Sequence, residues 1–138
     1  MTAVAQTDPT LDTGPGYLLN GLADTGYWYQ VGLSWNWSPG QYPGTGFGMN
    51  YEVFDPFQNS IFPLGGGGGV AAFTGTVNAG DTVLLNLYFS NSNSNSNSSD
   101  VVMSATDTNT SAFASETYSS HGGACFLGSP GSVANSNG

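Results

Sequence analysis

The chain has 138 residues, nine Asp and Glu, one His, and neither Lys nor Arg, for a formal charge of −9 and an isoelectric point near 4.1. Charged residues are 7% of the chain, against about 25% in ordinary globular proteins, and with no cation to neutralise phosphates, nucleic acid is excluded as a partner. In acid, carboxylates protonate while Lys and Arg stay cationic. A chain without basic side chains therefore approaches neutrality instead of accumulating repulsion, which points to acidic or otherwise harsh extracellular surroundings, as in an acidophile or thermophile. Resistance to trypsin-like proteolysis and a tendency to self-associate are the other two readings of the same feature.

Met1 to Gly16 reads as an extended N-terminal arm. Met1 to Asp12 lack the pattern of a signal peptide, so export implies a signal removed beforehand, and no apolar run reaches membrane-spanning length. Residues 17–127 read as one β-sandwich domain. Tyr27 to Trp37 alternates, with Tyr27, Tyr29, Val31, Leu33, Trp35 and Trp37 on one face and Trp28, Gln30, Gly32, Ser34 and Asn36 on the other. Phe47 to Asp55 sets Met49, Tyr51 and Val53 against Asn50, Glu52 and Phe54. A flexible run, Gly65 to Gly69, comes next; it lacks the Lys and the helix of a phosphate-binding loop. Then come a strand over Val70 to Val77, a turn over Asn78 to Asp81, and a strand over Thr82 to Ser90 with Val83, Leu85, Leu87 and Phe89 inward and Leu84, Asn86 and Tyr88 outward. Asn91 to Ser99 is a polar spacer expected to be a long loop. Asp100 to Thr106, Ala112 to Tyr118 and Ala124 to Leu127 are shorter strand candidates, and 128–138 reads as a flexible or strand-swapped tail. With helix signals nearly absent, the fold class is all-β, an antiparallel β-sandwich of the concanavalin-like or jelly-roll kind.

The lone Cys125 excludes an internal disulfide, and His121 beside it lacks a third ligand spaced for zinc. No metal site is expected. Calcium stays open at Asp100, Asp107 and Asn109, which read more simply as turn formers. Sequons at Asn97 and Asn109 are glycosylation candidates, and a third at Asn36 falls within a strand. If the strands share one sheet, Gln30, Glu52, Trp28, Asn50, Asn86 and Tyr88 line a common polar and aromatic surface suited to a peptide or a sugar.

The order of motifs resembles that of the glutamic peptidases (eqolisins) and, more loosely, the acid peptidases of the thermopsin type. The resemblance rests on Tyr29-Gln30-Val31-Gly32 after Tyr27-Trp28, on Tyr51-Glu52-Val53-Phe54, on the Gly80-Asp81 turn leading into Thr82-Val83, and on the strand ending at Asp107 before a Thr-rich turn. It covers roughly residues 26 to 118. It implies an acid endopeptidase in which Gln30 orients water and stabilises the oxyanion, Glu52 lines the groove, and a Glu on a later strand is the general acid and base. Past Asp107 the only acidic residue is Glu116, which occupies the position before that strand, so the resemblance implies a fragment or an inactive relative. Two other expectations stand beside it. One is a self-assembling extracellular subunit, a filament, pilus or surface layer of copies joined by strand donation; the other is a carbohydrate-binding module using Trp28, Trp35 or Trp37.

Overall fold

The computed structural model describes residues 1–5, 16–35, 46–90, 100–119, 126–127 and 131–134. The described residues form ten strands and no helix: β1 (Thr2–Val4), β2 (Gly16–Leu22), β3 (Trp28–Trp35), β4 (Phe47–Phe54), β5 (Ser60–Phe62), β6 (Gly69–Ala72), β7 (Thr82–Ser90), β8 (Asp100–Asp107), β9 (Phe113–Ser119) and β10 (Gly131–Ala134). They assemble into two antiparallel sheets. One has four strands in the order β1-β7-β8-β9; the other has six, β10-β2-β3-β4-β5, with β6 also paired to β4. The chain is an antiparallel β-sandwich, as its alternation predicts.

Period-two alternation accounts for the core. Tyr29, Val31 and Leu33 of β3 and Phe47, Met49 and Val53 of β4 face Val83, Leu85 and Leu87 of β7 and Val101, Met103 and Ala105 of β8, all buried. Burying each large member contributes about 1.5–3 kcal/mol. An aromatic chain continues this core: Phe89 stacks on Phe126 with centroids 4.5 Å apart, Phe126 meets Tyr29, Tyr29 meets Tyr118, Tyr118 meets Phe62 at 5.3 Å, and Phe62 meets Tyr51.

Several elements differ from their sequence reading. Thr2–Val4, expected within a free arm, pair with this chain's own β7, and Gly131–Ala134 of the expected tail pair with β2. The strand expected over Val70 to Val77 pairs only over Gly69–Ala72, after which Thr74 makes a single bridge to Phe113. Of Ala124 to Leu127, Phe126 makes a bridge to Ala23. The Gly65 to Gly69 run, expected to be flexible, is an ordered turn: Gly66 donates its amide to Pro63 O at 2.9 Å, and Gly65 through Gly68 all take positive φ. Asn36, Trp37, Asn97, His121, Cys125 and the spacer at 91–99 lie outside the described residues.

One correction concerns the expected common surface. Asn86 and Tyr88 lie on β7, in the four-stranded sheet, with side chains opposite the buried Val83, Leu85 and Leu87. They therefore face away from the six-stranded sheet that carries Trp28, Gln30, Asn50 and Glu52. Alternation separates the two faces of a strand but does not assign the strand to a sheet, and β7 hydrogen-bonds to β1 and β8.

Gly32 stands where the packing leaves no room for a side chain. A Cβ there would lie 2.1 Å from the Tyr17 carbonyl oxygen and 2.6 Å from Asn50 Oδ1. Gly32→Ala is expected to cost about 1–3 kcal/mol, read as a lower midpoint with unchanged slope in chemical unfolding.

Candidate functional site

The central ladder of the six-stranded sheet pairs Trp28 with Phe54, Gln30 with Glu52, Gly32 with Asn50 and Ser34 with Gly48. Their partners on the same strands, Tyr29, Val31, Leu33, Met49 and Val53, fill the core, so these four pairs form the outer face. Strand β2 extends the face on one side by setting Asn20 opposite Gln30 and Leu22 opposite Trp28. Four of the six residues expected to share a surface thus do share one: Trp28, Gln30, Asn50 and Glu52. Asn86 and Tyr88 do not.

Gln30 and Glu52 are direct cross-strand neighbours, both half-buried. Side chains so paired have Cβ atoms about 4.5–5.5 Å apart, close enough to act on one bound group. Ser60, on β5, donates its hydroxyl to Glu52 Oε2 at 2.5 Å and accepts the Gly67 amide at 2.8 Å. Gly68 is buried against the same carboxylate, where a Cβ would lie 3.3 Å from Oε1. The glycine run therefore folds back over Glu52. Its four consecutive positive φ angles are a conformation that side chains rarely adopt, which is why the run is glycine.

Below this pair, Ser34 donates its hydroxyl to Asn50 Oδ1 at 2.7 Å, both groups buried. Such a contact satisfies polar atoms that would otherwise cost about 1–3 kcal/mol. Above it, the Trp28 indole packs on Phe54 at 5.5 Å and donates Nε1–H to Asn20 Oδ1 at 3.2 Å. Trp28, Phe54, Leu22 and Pro56 line an open cleft of about 390 Å³ one residue pair from Gln30. Asp55, at the rim, titrates below the ordinary carboxylate range, chiefly because the Asn59 amide donates to it, with the Asn59 side chain and the Phe57 amide adding to this against burial's opposing effect.

Glu116 does not join this site. It sits on β9 opposite Met103, on the core side, with Ala114 and Tyr118. Burial pushes the Tyr51 phenol above its ordinary value, and the Glu116 carboxylate raises it further. Asp100 and Asp107 occupy opposite ends of β8 and cannot share a calcium ion; Asp107 and Asn109 belong instead to the turn after it. Among the described residues no three His, Cys, Asp or Glu side chains cluster around a possible metal position. Asn109 is exposed, and its Oδ1 accepts the Thr82 amide at 3.0 Å.

Sequence reasoning missed Ser60. The available signal was the glycine run, since consecutive glycines that reverse direction pack the segments on their two sides against each other. No known protein family matches this sequence, and neither curated proteins nor solved structures provide a match.

Because the neutral phenol is favoured in the folded state, stability is expected to fall as pH rises through 10, where unfolded Tyr51 ionises first. Glu116→Gln should lower the Tyr51 pKa, as followed by resonance-resolved NMR titration of the tyrosine rings; an unchanged value would count against the contact.

Proposed function

We propose that the outer face of the six-stranded sheet binds an extended peptide chain and that Gln30 and Glu52 hydrolyse it in acidic extracellular surroundings. The observation that carries this reading is the ladder pairing of Gln30 with Glu52. A carboxyl and a primary amide on neighbouring strands can serve as general base and oxyanion donor in water-mediated amide cleavage. The carboxylate of Glu52 takes a proton from the attacking water, and the Gln30 side-chain N–H donates to the oxygen that becomes an oxyanion. The proton then passes from Glu52 to the leaving amine. Ser60 occupies Oε2, so Oε1 is the oxygen available for the proton.

In the glutamic peptidases that the sequence resembles, the acid–base carboxyl belongs to a later strand. Here Glu52, which the resemblance places in a groove-lining role, is the carboxyl set opposite the glutamine. A carboxyl acid–base suits acid, where both of its protonation states are populated without further tuning. The absence of Lys and Arg suits the same surroundings.

Incubation with an unfolded protein substrate near pH 3 should yield cleavage. Gln30→Ala should reduce kcat by about 10²–10³, the loss typical of a single oxyanion donor, and Glu52→Gln should reduce it at least as far. Absence of cleavage, or cleavage indifferent to Gln30→Ala, would refute the reading.

A further inference from the structure

The residue least accounted for by this reading is Asp107, which has no solvent exposure at all. Its Oδ1 accepts the amides of Asn109 at 2.7 Å and Thr110 at 3.0 Å. Its Oδ2 is buried with no donor. A buried carboxylate oxygen without a partner costs about 1–3 kcal/mol or more, so its surroundings require explanation. The neighbour is a second acid. Asp81 ends the turn before β7, and the β7–β8 register sets Val83 opposite Asp107. Two further ties hold the corner: Thr108 N donates to Thr82 O at 2.9 Å, and Thr82 N donates to Asn109 Oδ1. The Asp81 carboxyl thereby comes within hydrogen-bonding reach of Asp107.

Among the described residues no side-chain cation is available to this pair. Strand β1 packs alongside through the Ala5 amide, which donates to Asp81 O at 2.8 Å, and Thr2 to Ala5 are all uncharged. The Met1 ammonium lies at the far end of β1, donating to Leu85 O. The turn after β8 contributes Thr108, Asn109, Thr110 and Ser111, and the segment before Asp81 contributes Thr76 and Asn78, none titratable. The next acid along the sheet is Glu116, opposite Met103 and four residues up β8.

We propose that Asp81 and Asp107 form a proton-binding site, in which one proton shared between the two carboxyls satisfies the buried Oδ2 and ties β1, β7 and β8 together. Asp107 is buried and Asp81 only partly exposed, so two unprotonated carboxylates in contact here repel each other, whereas one shared proton turns the same contact into a charge-assisted hydrogen bond. Burial opposes ionisation of Asp107, yet the Asn109 and Thr110 amides, the Asp81 hydrogen bond and the Thr110 hydroxyl outweigh it, so Asp107 titrates below the ordinary carboxylate range.

A proton shared in this way is one that separate unfolded carboxyls have lost above about pH 4. The folded state then binds more protons than the unfolded state, and the contribution of the pair to stability declines as pH rises toward neutrality. On the acid side, protonation of Asp107 below its lowered pKa removes the charge-assisted bond, and stability declines again. The site is thus a device that favours the folded sandwich in moderate acid.

Asp81→Asn isolates the effect. Its amide nitrogen replaces the shared proton with a permanent donor, and its oxygen can still accept the Asn78 amide that Asp81 Oδ2 accepts at 2.9 Å. Thermal unfolding of both full-length proteins from pH 3 to pH 8 is the measurement. The variant should match the native protein in moderate acid and exceed it at pH 7 by roughly 5 °C in Tm, the shift that a single hydrogen bond of this kind produces in a domain this size. Asp107→Asn offers a donor from the opposite side and should show the same pH-dependent gain. A gap independent of pH, or both variants less stable than the native protein at pH 7, would overturn the proposal. So would a Tm increase with added Ca²⁺ at pH 7 in the native protein but not in Asp81→Asn, since the ligand would then be a metal ion.

Discussion

The eight-residue register between β3 and β4 is the constraint on which the rest depends. Pairing Trp28 with Phe54 through Trp35 with Phe47 sends Tyr29, Val31, Leu33, Met49 and Val53 into the core. The same pairing sets Gln30 beside Glu52, Gly32 beside Asn50 and Ser34 beside Gly48 on the other side. A slip of one residue would bury the amide and the carboxyl and expose the aromatic core, so stability and the site are fixed by one choice. Gly32 supports this register by letting Asn50 and the Tyr17 carbonyl approach a position where any Cβ would clash.

The glycine run makes a second contribution. By reversing over Ser60 it brings a backbone amide and a hydroxyl into line with Glu52, fixing the orientation of a carboxylate that would otherwise rotate freely on an open sheet. Among the described residues this polar chemistry is built from neutral donors, hydroxyls and amides, because the sequence supplies no Lys or Arg. Asp107 obeys the same rule: amides and a neighbouring acid stand where another protein would use Arg or Lys.

Much of this was legible before the structure. Alternation in Tyr27 to Trp37, Phe47 to Asp55 and Thr82 to Ser90 separates the inward residues from the outward ones over the described part of each run, to Trp35 in the first, because a buried face must be apolar at every second position. Four of the surface residues came from the same periodicity. Asn86 and Tyr88 did not, since periodicity carries no information about which sheet a strand joins. Ser60 was hidden because its role depends on a bend eight residues along the chain from Glu52. The proximity of Asp81 to Asp107 was hidden for a related reason: each residue reads as an ordinary turn former, and only the β7–β8 ladder, with Val83 opposite Asp107, sets them at one corner.

The central claim is that the outer face of the six-stranded sheet, rather than that of the four-stranded sheet, receives a peptide. Titration of isotope-labelled protein with an unfolded peptide near pH 4, monitored by NMR chemical-shift mapping, tests it most directly. The account predicts shifts at the Gln30 side-chain amide, the Trp28 indole and the Gly67 amide, with Asn86 and Tyr88 unmoved. Shifts confined to Asn86, Tyr88 and their neighbours on β7, or none at saturating peptide, would contradict it.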